Sequence, residues 1–103
     1  MEINLENESS YYSVIPYEIL VDNDLSARAR LFYGTISSLC KLEGFCIATN
    51  GQLSALIGAS ESTVVRCLSD LANKKYITVE IDQMAGNERK IFITNKATNE
   101  NQD

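Results

Sequence analysis

The order helix, short strand, helix, helix, β-hairpin predicts a mainly α fold with a small antiparallel β wing, a winged helix-turn-helix. Three observations carry this. Residues 49–76 hold two short helical patterns that meet at Gly58, the second opening on Ser60. A longer capped helical stripe precedes them, ending near Gly44. Two period-two stretches follow them, separated by a Gly86-Asn87 turn.

Taken in chain order, residues 1–10 are polar and rich in Asn and Glu, which predicts a flexible acidic tail. Residues 11–15 read as a short extended segment, because Pro16 restricts Ile15 to extended backbone and suits the first turn of a helix. One helical turn over 17–20 follows and breaks at Asp22-Asn23-Asp24. Ser26 is placed to cap a helix running to about Glu43, with Phe32, Ile36, Leu39 and Cys40 at helical spacing and Leu31 and Leu42 widening the stripe. Residues 45–47 read as a brief strand. Thr49 and Gln52 have the spacing of a capping box, hydroxyl to the third amide and amide side chain back to the cap. The helix they open carries Leu53, Leu56 and Ile57, and the next carries Val64, Cys67, Leu68 and Leu71. Asn73, Lys74 and Lys75 close it, placing cations at the negative end of the helix dipole. Residues 76–81 and 89–94 form the hairpin, with Ile47, Ile77, Val79, Ile81, Ile91 and Ile93 expected to face the helices and residues 45–47 expected as a third strand. The domain is therefore placed at 11–94, and 95–103 reads as a second flexible tail.

A length of 103 residues suits one domain, and a composition 45% hydrophobic and 22% charged is that of a soluble globular chain. No apolar run is long enough to span a membrane, and the acidic N-terminus is unlike a secretory signal, so a cytoplasmic location is expected. Cys40, Cys46 and Cys67 make an odd count with no Cys-x-x-Cys, and histidine is absent, so neither a zinc site nor any other cofactor is expected. Without histidine, a phosphate-cradling glycine loop or a telling carboxylate pair, an enzyme is not expected either. The net charge of −5 is unevenly distributed. Glu2, Glu6, Glu8, Glu18, Asp22 and Asp24 crowd the first 24 residues. Residues 25–98 hold all nine Lys and Arg and are net positive. That distribution permits phosphate contact without a dense basic patch.

Two crossing helices need small or apolar residues between them, which Leu53, Ser54, Ile57, Ala59, Val64 and Cys67 supply. The outward residues of the second helix are then Ser60, Glu61, Ser62, Val65, Arg66 and Ser69. Arg66 can reach guanine O6 and N7 together or clamp a phosphate. Ser60, Ser62 and Ser69 are short donors for phosphates or base edges, and Thr63 suits the backbone. Val65 can pack on a thymine methyl, whereas Glu61 repels phosphate. Lys74, Lys75, Arg89 and Lys90 are placed to hold flanking phosphates. The same spacing also occurs in helical bundles and in winged helices that bind only protein, and Arg89 and Lys90 also fit plain hairpin surface charges.

Tyr12-Ser-Val-Ile-Pro, Leu25-Ser-Ala-Arg-Ala-Arg-Leu-Phe-Tyr-Gly, Glu43-Gly-Phe-Cys-Ile-Ala-Thr-Asn and Leu56-Ile-Gly-Ala-Ser-Glu-Ser-Thr-Val together resemble the helix-turn-helix domain at the head of phage replisome organisers and plasmid replication initiators of Gram-positive bacteria. The resemblance spans about residues 11–94. It implies a winged-helix domain that binds double-stranded origin or operator DNA, with Ser60, Ser62, Thr63 and Arg66 as recognition residues. The family often has Arg where this chain has Ser62, and a larger apolar residue where it has Cys67. Replication members also continue into a second domain that recruits the helicase loader. The expectation is thus a double-stranded DNA-binding protein, the DNA-binding head of a phage or plasmid replication initiator. The alternatives are a small transcription regulator, or a winged helix that binds a host or replication protein without DNA. A homodimer is a further candidate assembly, and a membrane is not an expected partner.

Overall fold

A computed structural model describes residues 14–94. The expected tails, 1–10 and 95–103, lie outside the described residues, as does part of the extended segment expected at 11–15. Helix α1 is one turn, Tyr17–Leu20, and α2 spans Ala27–Leu39. Helices α3 (Asn50–Ile57) and α4 (Glu61–Asn73) form the central pair, and strands β1 (Ile77–Asp82) and β2 (Glu88–Ile93) follow. Gln83–Ala85 makes a single 3-10 turn at the tip of the hairpin.

Local chemistry sets these boundaries. Pro16 stands just outside α1, where its carbonyl accepts from the amides of Ile19 and Leu20. Asp22 turns the chain back by accepting the Asp24 amide at 2.9 Å. Ser26 caps α2 through the Ala29 amide, and Ser60 caps α4 through the Thr63 amide. Both arms of the Thr49–Gln52 capping box are present on α3. Gly58 ends α3 in the left-handed conformation at φ 66°, which glycine adopts without the Cβ clash other residues meet. Ser54 secures that turn by donating its hydroxyl to the Ala59 carbonyl.

Four expectations are corrected. Helix α2 stops at Leu39 rather than near Glu43, because the chain tightens into turns that swing Cys40 inward, where its thiol donates to the Ile91 carbonyl. Leu31 and Leu42 accordingly lie on the surface, not on the buried stripe. Residues 45–47 do not form a strand. Of that segment only Cys46 bridges to Ile91, so among the described residues the sheet has two strands plus one bridged residue. Of the apolar set assigned to the helix-facing side, Ile77 and Ile91 are buried, but Val79 is 40% and Ile81 55% exposed. Toward its tip β1 leaves the helical core, so Val79 and Ile81 stay exposed among the described residues.

The core is continuous from α1 to the hairpin: Ile19, Leu25, Phe32, Ile36, Leu53, Val64, Leu71 and Ile91 are all nearly inaccessible. Its effect is to hold α4 between α2, α3 and β1, leaving one long side of α4 open.

Candidate nucleic-acid interface

Helix α4 buries Val64, Cys67, Leu68 and Leu71. With 3.6 residues per turn, the opposite side must carry Ser62, Val65, Arg66 and Ser69, spaced i, i+3, i+4 and i+7. All four are exposed, Val65 at 52%. The exposed Asn73 continues the same stripe one turn further, a position missed in the sequence because it was assigned to the helix terminus. The helix starts with a closed cap: the Ser60 hydroxyl accepts the Thr63 amide at 3.2 Å and lies 3.0 Å from the Thr63 hydroxyl. Ser60 and Thr63 are thus engaged with each other at the leading end of the stripe.

The Glu61 side chain leans toward the first turn of α3. Its Oε2 lies 3.6 Å from where a side chain on Gly51 would begin. A carboxylate at a helix N-terminus is favourably placed against the dipole, which accounts for Glu61 at the start of α4.

Most of the cations have other work. Lys74 is held by Asp24 at 3.0 Å and Asp22 at 3.2 Å, and these two carboxylates raise its pKa, Asp24 first. Arg89 is half-buried and donates to Asn50 Oδ1 and to the Ala48 carbonyl, both at 2.7 Å. It thus ties β2 to the chain entering α3. Lys90 pairs with Asp82 at 3.5 Å and lies over the Phe45 ring, 4.8 Å from its centre. Arg30 donates to the carbonyls of Leu20 and Leu25 and fixes α1 to α2. Lys74, Arg89 and Lys90, read in the sequence as flanking phosphate ligands, are therefore built into the fold. Lys75 is exposed at the end of α4 in the left-handed region, φ 64°.

Arg66 and Arg28 differ from these. Both are exposed, and neither makes an ion pair or hydrogen bond among the described residues. Both lie within electrostatic reach of Cys67. Burial raises the Cys67 thiol pKa and Asp70 adds to it, while the positive charges of Arg28 and Arg66 both draw it back. Packing of α2 on α4 brings Arg28 within electrostatic reach of Cys67, although the two lie far apart in the sequence. Arg28 was passed over in the sequence because it sits off the buried stripe of α2.

No family model matches the chain, and no curated protein matches it. Solved structures do. The N-terminal domain of a DNA-binding protein superposes with a TM-score of 0.69 at 11% identity, covering 91% of this chain and 82% of that one. A Rep–DNA complex gives 0.66 at 11% identity with the same coverage. An MDR initiator gives 0.65 at 13% identity over 91% and 84%. The chain is a winged helix-turn-helix. The Staphylococcus aureus protein MepR bound to ethidium bromide shares the fold at a TM-score of 0.58 and 19% identity, over 77% of this chain and 54% of that one. In this winged helix-turn-helix α4 is the second helix of the helix-turn-helix, and the hairpin is the wing. The wing differs from a phosphate-gripping one, since Glu80, Asp82 and Glu88 flank two cations that are already engaged.

Proposed function

We propose that this winged helix binds double-stranded DNA by laying the Ser62–Val65–Arg66–Ser69 stripe of α4 in the major groove, as the DNA-binding head of a phage or plasmid replication initiator. The observation that carries the reading is Arg66. It is an exposed guanidinium, without a partner among the described residues, in the middle of a side of α4 otherwise formed by short polar residues and one valine. That combination suits close approach to base edges, with Arg66 on guanine and Val65 on a thymine methyl. Arg28 takes the adjacent phosphate, a task the wing cations are not free to perform. Ser60 and Thr63 lie where the cap of α4 meets the backbone, and Lys75 reaches a phosphate beyond the other end. The role is binding, not catalysis. The resemblance of the sequence to replication heads, together with likeness of fold to a Rep–DNA complex and an MDR initiator, favours replication over transcription control.

Selection from a random duplex pool at moderate salt tests this. Enrichment of a defined sequence supports groove reading, and a site within a replication origin supports the initiator role. A site overlapping a promoter would instead favour a transcription regulator. Failure to bind any duplex at low salt would leave a protein-binding winged helix.

A further inference from the structure

We infer that the outer edge of β1 is an interface for a second copy of this chain, the two β1 strands pairing antiparallel about a two-fold axis at Val79. β2 is the interior strand. It pairs with β1 on one side, and on the other Ile91 exchanges both backbone hydrogen bonds with Cys46 at 2.9 Å. β1 is therefore an edge among the described residues. The Thr94 amide donates to the Tyr76 carbonyl at 3.0 Å, which fixes the phase of the ladder. Residues 76, 78, 80 and 82 direct their backbone groups toward β2, so the amides and carbonyls of Ile77, Val79 and Ile81 point outward.

An exposed edge of this kind is usually blunted by a proline, a lysine or a bulge, none of which occurs in Ile77–Asp82. Glu80 and Asp82 are its only charges, and they select the register. A two-fold axis at Val79 sets Val79 on Val79, Ile77 on Ile81 and Glu80 on Thr78, and uses every outward backbone group of the strand. An axis at Ile81 would set Glu80 against Asp82, two like charges in direct opposition. An axis at Ile77 would leave the outward groups of Ile81 unused. The Val79 register also brings Lys75 of the second copy toward the end of the strand that carries Asp82. On the helix-facing side it joins Val79 and Ile81, now 40% and 55% exposed, into one apolar stripe across the new four-stranded sheet.

The test is sedimentation of the full chain, without DNA, across a concentration series, so that it stands or falls apart from the DNA-binding reading. The expected result is a mass that rises from one chain to two. The Val79→Lys variant puts two ammonium groups at the axis and should stay monomeric. The Val79→Pro variant removes only an outward amide, sparing the ladder to β2, and should do the same while keeping its circular dichroism. In the Val79→Cys variant, facing Cα atoms about 5.5 Å apart lie within disulfide range. Oxidised glutathione should then give a cross-linked dimer and two reduced glutathiones, with the buried Cys40, Cys46 and Cys67 left unreacted. A mass of one chain at every concentration would overturn the proposal, as would a dimer that survives both Val79→Lys and Val79→Pro. A monomer in which the Val79 and Ile81 amides resist hydrogen exchange would assign the edge to this chain's own flanking residues, and would overturn it equally.

Discussion

Individual side chains divide the cations of this protein into those that build it and those that are available. Arg89 is the plainest case. Its guanidinium makes two 2.7 Å hydrogen bonds to the segment entering α3. Arg89→Ala should therefore lower stability by about 2 kcal/mol, as expected for lost hydrogen bonds from a charged donor. Chemical denaturation measures it. An unchanged midpoint together with lost DNA affinity would return Arg89 to the phosphate-binding role read from the sequence. Arg28→Ala should behave in the opposite way, leaving stability unchanged while weakening DNA binding evenly across sequences. It should also reduce the salt dependence by about one phosphate contact. The sequence showed which residues were cationic but not which were occupied. The partners of Lys74, Arg89 and Lys90 are roughly 50, 40 and 10 positions away along the chain, and only the fold brings each pair together.

At the level of elements, local signals were legible and packing was not. Ser26, Ser60 and the Thr49–Gln52 box lie within three residues of the amides they cap, so sequence spacing alone determines them. The hairpin was legible from its alternation, but its overhang was not, because the exposure of Val79 and Ile81 depends on how far the helices reach. The end of α2 was misplaced for a similar reason: the pull on Cys40 comes from Ile91, 51 residues away. Helix α4 ends in a paired-bond turn, the Tyr76 amide bonding Leu71 and the Lys75 amide bonding Ala72, with Lys75 in the left-handed position that favours glycine. Lys75→Gly should therefore raise stability by about 1 kcal/mol. A fall in the thermal midpoint would show that the Lys75 side chain contributes more than its backbone costs.

The whole molecule is pinned at one point. Tyr76 donates to Asp22 at 2.6 Å, and Asp22 also accepts Lys74, so the loop after α1 is fastened to the end of α4. The Tyr76 hydrogen bond, and then the Asp24 amide and Lys74, hold the Asp22 carboxyl below its usual range against the opposing effect of burial. A depressed carboxyl stabilises the fold above its unfolded pKa of about 3.9 and loses that contribution as pH falls through the folded value. Burial, reinforced by Asp22, pushes the Tyr76 phenol up to about 12. That contribution is complete below about pH 10 and declines as pH rises toward 12. Unfolding followed by circular dichroism should thus show an acid limb below about pH 4 and an alkaline limb above about pH 10. Tyr76→Phe should shift the acid limb to lower pH sensitivity and remove the Tyr76 part of the alkaline one. Identical limbs in the variant would mean the pin contributes nothing. At the same scale charge is unevenly spread: six acids crowd residues 1–24, whereas Arg28 and Arg66 are both exposed and both lie within electrostatic reach of Cys67 on α4.

The most direct measurement is the affinity of Arg66→Ala for the selected duplex and for versions of it with single base-pair changes. If Arg66 reads a guanine, the variant keeps its fold, loses about 1–3 kcal/mol on the selected site and no longer discriminates at one position. If it instead binds the selected duplex as tightly as the unmodified protein, with discrimination intact at every position, the open side of α4 is not the DNA-reading surface.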